Sequence, residues 1–194
     1  MDFNAEPQLA PPGAGLPFPE LMVAKLIFKC RLQLGSRASF SASFQSERRK
    51  IQELVKTCEE SKGAEPILIP RLTGMEDSSR HWSVWMTLEH LRMVHDSITK
   101  VITALTSGVA MEGAASTASV KPRKEVTARV LRHYETSCDG LQKAVDDAPD
   151  LNTKLKFTHP WFGPLNAAGW HAMAGQHLGI HRRQIEQILK RLEA

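Results

Sequence analysis

Apolar residues recur every three or four positions along four stretches of the chain, a spacing that predicts long amphipathic helices. The four stretches cover about residues 40–58, 79–105, 122–145 and 165–192. A shorter apolar stretch predicts an additional N-terminal helix that ends near Gly35. Residues 67–69 are apolar, but they stand between prolines and are too few to predict a strand. The pattern therefore predicts an all-α protein, a four-helix bundle with an extra N-terminal helix.

The segments around these helices predict the domain organisation. The proline-rich segment 1–19 predicts an extended tail, and residues 20–194 predict a single helical-bundle domain with its core at about 40–192. Ser78 or Ser79 could cap the second bundle helix, and Pro122 suits the first turn of the third.

One connection is long enough to bear on the topology. Residues 106–121 are rich in small polar residues and predict a loop that can span about 50 Å when extended. A helix of 24 residues is only about 36 Å long. The loop therefore permits the third bundle helix to run parallel to the second, although its length does not require this.

Composition excludes several classes of protein. The net charge of +4 is small and scattered, so nucleic-acid binding is not predicted. No stretch approaches the roughly 18 consecutive apolar residues of a membrane span. Three widely spaced cysteines without a CxxC pair favour reduced thiols, and hence a cytoplasmic protein, over a disulfide framework.

Two histidines near the end of the chain are the best candidates for chemistry. His177 and His181 are four residues apart, which places both imidazoles on one helix face, close enough to share a metal ion. His90 lies on the inward stripe of the second bundle helix and could supply a third nitrogen. Three neutral imidazoles with one vacant position are typical of catalytic zinc, and also suit nickel or iron. The alternative is a hydrogen-bonded core histidine beside an exposed one, and the spacing alone does not decide between them.

The other histidines have different expected places. His95 is expected at the mouth of a cleft or in solvent, and His171 off the ligand face. His159 is expected to fix its loop, while His133 and His81 are expected at the surface. Glu89 and Gln176 directly precede His90 and His177 and are rotated by about 100° from them on the helix, which makes them neighbours of the site rather than ligands.

Three segments together resemble the DinB-like superfamily. They are WSVW leading into EHL at residues 82–91, the loop HPWFGPL at 159–165, and His177-x-x-x-His181 followed by RRQ. The resemblance covers about residues 40–192. It implies an up-down-down-up bundle and a three-histidine site, here His90, His177 and His181, that binds a divalent metal such as zinc or nickel. It also implies a homodimer.

The resemblance leaves two functions open. The first is a metal-dependent enzyme that transfers a low-molecular-weight thiol to a small electrophilic substrate, with hydrolysis as a close variant. The second is a non-catalytic, metal-binding or stress-related dimeric bundle. An open pocket with polar groups at the histidines would favour the enzyme, and a closed or dry site would favour the alternative.

Overall fold

The computed structural model describes residues 7–193 and is dominated by helices. The helices are α1 (Phe18–Leu34), α2 (Arg37–Val55), α3 (Glu60–Gly63), α4 (Val84–Thr106), α5 (Val130–Asp147) and α6 (Ala167–Leu192). The strands are β1 (Ile67–Leu68), β2 (His81–Trp82), β3 (Phe157–His159) and β4 (Gly163–Leu165). Helices α2, α4, α5 and α6 form the bundle, which confirms the predicted fold class, and α1 is the extra N-terminal helix.

Polar caps fix where three of the bundle helices begin. Ser36 and Ser39 form a reciprocal capping box at the start of α2, and the Asn166 side chain accepts the backbone N–H of Gly169 at 2.9 Å at the start of α6. The cap of α4 is Ser83, whose hydroxyl oxygen accepts the backbone N–H of Met86 at 3.1 Å. The prediction that Ser78 or Ser79 caps this helix was therefore wrong.

Contacts between the helices define their relative directions. Helix α2 runs antiparallel to α5 and parallel to α6, and α4 runs antiparallel to α6. The contacts that show this are Gln45–Gln142 and Arg48–Glu135 for α2 and α5, Ser41–His171 and Glu47–Arg182 for α2 and α6, and Ser79–Gln184 and His90–His177 for α4 and α6. This is the up-down-down-up order, so the 106–121 connection does start α5 parallel to α4.

Short strands were missed by the sequence pattern. Strands β1 and β2 pair antiparallel with Ile67 opposite Trp82, and β3 and β4 pair with His159 opposite Gly163. Trp82 therefore lies in a strand and not in the helix that carries His90. Ladders of two or three residues have too few positions for an alternating pattern, so no periodicity could reveal them.

Two predicted helix boundaries also differ from the structure. The first bundle stretch, predicted to reach residue 58, ends earlier, because α2 ends at Val55 and the short α3 begins only at Glu60. Pro122 does not open a helix, since α5 begins at Val130 and residues 118–120 form a 3-10 turn instead. That turn packs beside α4, where it contributes to the candidate site.

Helices α4 and α6 form the centre of the bundle. Each has thirteen buried residues, and both lie wholly within the described part of the chain, whereas α2 has four and α5 has six. A helix with that much buried surface contacts neighbours on more than one side. The candidate histidines lie on these two central helices.

Helix α1 is attached to the bundle through little surface. Phe28 is its only buried residue, and its ring stacks on that of Phe162 with centroids 4.4 Å apart. Ile27, on the same helix, is 57% exposed. Among residues 7–193, no helix combines the length and the apolar character needed to cross a membrane.

Candidate metal centre

The three predicted histidines lie together between α4 and α6. The Nε2 atom of His177 is 3.2 Å from Nε2 of His90 and 3.1 Å from Nε2 of His181. His90 and His181 also lie close, with ring centroids 4.6 Å apart. Three imidazole nitrogens therefore converge on one point.

These separations fit a tetrahedral ion. Zinc–nitrogen bonds of 2.0–2.1 Å at tetrahedral angles would hold the nitrogens about 3.3–3.4 Å apart. The observed 3.1 and 3.2 Å are within a few tenths of an ångström of that spacing. Small rotations of the rings would therefore admit an ion without movement of the backbone.

Hydrogen bonds orient two of the imidazoles. His90 Nδ1 is 2.7 Å from the Val120 carbonyl oxygen, which can only accept, so Nδ1 carries the proton. His181 Nδ1 is 2.6 Å from Oε1 of Gln184, whose Nε2 donates to the Ser79 carbonyl at 2.7 Å. The Nε2 atoms of His90 and His181 consequently present lone pairs to the centre of the group, the tautomer that metal ligation requires.

His177 completes the group with a polar atom left over. Its Nδ1 is buried and has no hydrogen-bond partner among residues 7–193. Its Nε2 faces the lone pairs of His90 Nε2 and His181 Nε2. If the ring proton of His177 lies on Nε2, it can be donated to these lone pairs, but Nδ1 then keeps a buried lone pair that accepts no hydrogen bond. A cation at the centre would accept all three Nε2 lone pairs at once, and the proton of His177 would then lie on Nδ1. The donor set thus fits a divalent metal.

Burial keeps these imidazoles neutral. Desolvation is the main cause that lowers the pKa of His90 to about 4, and it lowers the pKa values of His177 and His181 well below their usual range. Neighbouring histidines within the group lower the pKa values of His177 and His181 further. At neutral pH the lone pairs are therefore available to a metal without prior loss of a proton.

A pocket of about 450 Å³ opens onto the three histidines. Its walls are mainly apolar side chains from α4, α6 and the β3–β4 hairpin, namely Val94, Ile98, Val101, Phe157, Trp170 and Met173. Trp82 stacks on His181 with centroids 6.0 Å apart and an interplanar angle of 11°. The site is therefore open to a small molecule, and its metal-facing end is covered by an aromatic ring.

A buried ion pair closes one side of the pocket. Lys121 Nζ lies 3.1 Å from Oε2 of Glu76, a residue that is only 4% exposed. Lys121 also donates to the hydroxyls of Ser78 and Ser79. Burial lowers the pKa of Lys121, and the positive charge of Lys121 lowers that of Glu76 against its own burial. This pair ties residues 76–79 to the segment that provides Val120 to His90.

The other predicted residues fall in different places. His95 was expected at the cleft mouth or in solvent, but it is fully buried against α5, 3.3 Å from the Ser137 hydroxyl. His171 points to α2, with Nε2 at 3.2 Å from Ser41, and Glu89 forms an ion pair with Arg92. Neither the His171 side chain nor the Glu89 side chain contributes to the site.

The remaining three histidines lie in different environments. His159 fixes its loop as predicted, because Nδ1 accepts the backbone N–H groups of Trp161 at 3.1 Å and Phe162 at 3.3 Å. His81 was expected at the surface, but it lies half-buried in β2. His133 is exposed, as expected.

The sequence did not reveal the groups that orient the candidate histidines. Gln184 and the Val120 carbonyl were assigned no role, and Ser79 was considered only as a possible helix cap. A glutamine three residues after a histidine on an inward face is a usable signal, since the two side chains are neighbours on a helix. No local signal could identify the Val120 carbonyl.

Cys138 provides no nucleophile for the site. It is buried in α5, and burial raises the pKa of its thiol to about 12. A neutral thiol is a poor nucleophile.

A family model identifies the chain. The model of the DinB superfamily matches residues 43–185, which span the bundle and the three histidines. The chain belongs to the DinB superfamily, which confirms the resemblance seen in the sequence.

Comparison with solved structures supports the fold. The crystal structure of TT2238, described as a four-helix bundle protein, matches with a TM-score of 0.58 and 20% sequence identity. The match covers 78% of this chain and 98% of that one. At this identity the likeness shows the fold alone. No curated protein matches the chain by sequence.

Proposed function

We propose that this protein is a divalent-metal-dependent enzyme that acts on a small molecule. The observation that carries the proposal is the convergence of three neutral imidazoles at the end of an open pocket of about 450 Å³, with His177 Nε2 lying 3.2 Å from His90 Nε2 and 3.1 Å from His181 Nε2. A structural metal site is usually closed by four protein ligands, whereas three ligands and an adjoining pocket leave a position for another molecule. Zinc or nickel suits three imidazole donors.

The residues of the pocket have different proposed roles. His90, His177 and His181 would hold the ion, and Gln184 and the Val120 carbonyl keep two of the rings oriented. A divalent ion bound there would lower the pKa of a thiol or water at its remaining position. The apolar walls bind the carbon skeleton of the substrate and keep water away from the site.

The proposed reaction is transfer of a low-molecular-weight thiol to the substrate, with hydrolysis as the variant. Membership of the DinB superfamily supports this reaction class only by resemblance. The geometry supports it in that the pocket has room for a small electrophile next to the ion. The three cysteines within residues 7–193 are all free, which supports a cytoplasmic location where small thiols are abundant.

A turnover assay tests the proposal. Zinc-loaded and nickel-loaded protein would be incubated with glutathione, cysteine or coenzyme A and the electrophile 1-chloro-2,4-dinitrobenzene, and with p-nitrophenyl acetate for hydrolysis. We expect turnover that disappears on chelation and in the His177→Ala variant, but not in the exposed His133→Ala control. Bound metal without any metal-dependent turnover would instead favour the non-catalytic bundle.

We also propose that two copies associate through α1. Its outward face carries Phe18, Met22, Val23, Leu26, Ile27 and Leu34, which are between 49% and 89% exposed. Six such side chains on one helix present an apolar surface of several hundred Å², comparable with one side of a small dimer interface. Sedimentation should give a dimer for the wild type and a monomer for Leu26→Lys, and a monomeric wild type would contradict the proposal.

A further inference from the structure

His159 differs from the other pocket residues in having one ring nitrogen occupied and the other free. Nδ1 accepts two backbone N–H groups, those of Trp161 and Phe162, so it has no proton of its own. The proton of the neutral ring must then lie on Nε2. No partner for Nε2 is found within residues 7–193, and this nitrogen is not among the fully buried unpartnered atoms, so it keeps contact with solvent.

Contacts with two aromatic rings and with the hairpin backbone hold the His159 ring in place. Its centroid is 4.9 Å from that of Phe162 and 5.3 Å from that of Trp170. The backbone is fixed as well, because His159 pairs with Gly163 across the hairpin and the Thr158 carbonyl accepts the backbone N–H of Ala115 at 2.9 Å. A donor that is immobilised in this way loses little entropy when it binds an acceptor.

His159 belongs to the same pocket as the three histidines. It lines the cavity together with His90, His177 and His181, and it lies close enough to His177 to help lower that residue's pKa. Burial lowers the pKa of His159 itself to about 4, which keeps the ring neutral at physiological pH. The Nε2–H group is therefore an uncharged donor on a residue that lines a mainly apolar cavity.

The charges around the cavity narrow the type of ligand. Lys121 is neutralised by Glu76, and Lys100 lies exposed at the rim. Apart from the proposed ion, the described lining of the cavity therefore places no unpaired charge in its interior. An uncharged donor beside apolar walls favours an uncharged acceptor.

We propose that this pocket binds an apolar small molecule bearing a carbonyl-type oxygen, and that His159 donates its Nε2–H to that oxygen. The inference rests on the proposed function for the view that the pocket receives the substrate. It adds the class of substrate and a second point of attachment away from the ion. His159 is then a residue that determines specificity.

Two probes of equal shape separate the hydrogen bond from hydrophobic contact. Acetophenone carries the carbonyl oxygen, and α-methylstyrene has a CH₂ group in its place. Binding of both to the full chain would be measured by NMR titration, first in chelator-treated and then in zinc-loaded protein. The chelator-treated protein reports on His159 without any contribution from a metal.

Two variants separate the donor from the structural role of the ring. In His159→Asn the amide oxygen can still accept the loop N–H groups, but the distant donor is lost. In His159→Gln the amide can reach the position of Nε2, but the loop acceptor is lost. We expect His159→Asn to weaken acetophenone about five- to tenfold, the worth of one neutral hydrogen bond, and to leave α-methylstyrene unchanged. His159→Gln should keep most of the acetophenone affinity.

Equal effects of His159→Asn on both probes, or none on acetophenone, would overturn the inference. A second measurement needs no variant: ¹⁵N NMR of the wild-type ring should place the proton on Nε2, and a proton on Nδ1 would equally overturn it. The outcomes are separable from the proposed function. Metal-dependent turnover without a carbonyl preference sinks only this inference, and a carbonyl preference without metal-dependent turnover sinks only the proposed function.

Discussion

The amide of Gln184 links His181 to the loop before α4: Oε1 accepts from His181 Nδ1 at 2.6 Å, and Nε2 donates to the Ser79 carbonyl at 2.7 Å. Because Ser79 O can only accept, the amide has a single possible orientation, and this orientation fixes the tautomer of His181. Gln184 is fully buried, so no solvent molecule can take its place. One side chain thus connects the sequence of α6, the loop at residue 79 and the proposed metal ligand.

The first prediction follows from this link. Gln184→Leu should lower zinc affinity by about 10- to 100-fold, because His181 loses the partner that holds its ring and its proton. Competition with a chromophoric chelator measures the change. Gln187→Leu, three residues further along the same helix, should leave zinc affinity unchanged, and an equal loss in both variants would contradict the role given to Gln184.

The second prediction concerns the buried ion pair. Lys121→Met leaves the Glu76 carboxylate buried without its partner, which should lower the free energy of unfolding by about 3 kcal/mol. Urea unfolding of the chelated protein measures this. Lys143→Met removes an exposed ion pair with Asp147 and should produce no measurable change. If the two variants are equally stable, the pair does not hold the loop at residues 76–79.

The third prediction concerns pH. Burial lowers the pKa of His171 to about 4 and that of His95 to about 3, whereas both titrate near 6.5 in the unfolded chain. Between about pH 6.5 and 4 the unfolded chain therefore binds more protons than the folded protein. The free energy of unfolding of the chelated protein should fall as the pH is lowered through this window, by up to about 1.4 kcal/mol per pH unit for each such histidine.

A variant of one histidine checks the assignment. His171→Asn should reduce the pH slope by about one histidine's contribution, measured by urea unfolding at several pH values. A stability that does not change between pH 6.5 and 4 would contradict the burial of neutral histidines.

The fourth prediction separates α1 from the bundle. Phe28→Ala removes the one buried side chain of α1 and its stacking on Phe162. Amide hydrogen exchange should then be faster throughout α1, while protection in α4 and α6 is retained, because the helix then keeps only partly exposed contacts, such as Glu20 with Arg71 and Arg31 with Ser43. Loss of protection across all helices would show instead that α1 is an integral part of the core.

The helices could be predicted from the sequence because apolar residues recur along each of them with helical spacing. This spacing can be recognised without knowing which elements pack against the helix. His95 was misplaced for the opposite reason. It is five residues from His90 and so faces another direction, but α4 lies at the centre of the bundle and buries that side against Ser137 on α5. A single-stripe reading underestimates the burial on a central helix.

The candidate site was predicted only in part for a related reason. His177 and His181 could be paired from their spacing, and His90 from its inward position. The partners that orient them belong to distant segments: the Val120 carbonyl follows a loop, and Ser79 lies in a 3-10 turn. Pro122 has the local signature of a helix start, but the preceding segment is used to cover the pocket, and α5 begins eight residues later, at Val130.

Metal content of the purified full chain tests the central claim most directly. Elemental analysis, before and after incubation with zinc or nickel and removal of excess ion, should give about one divalent ion per wild-type chain. The double variant His177→Ala/His181→Ala should retain almost none, and His133→Ala should match the wild type. A wild-type protein that carries no stoichiometric metal, and gains none from either ion, would contradict the assignment of His90, His177 and His181 as a metal centre.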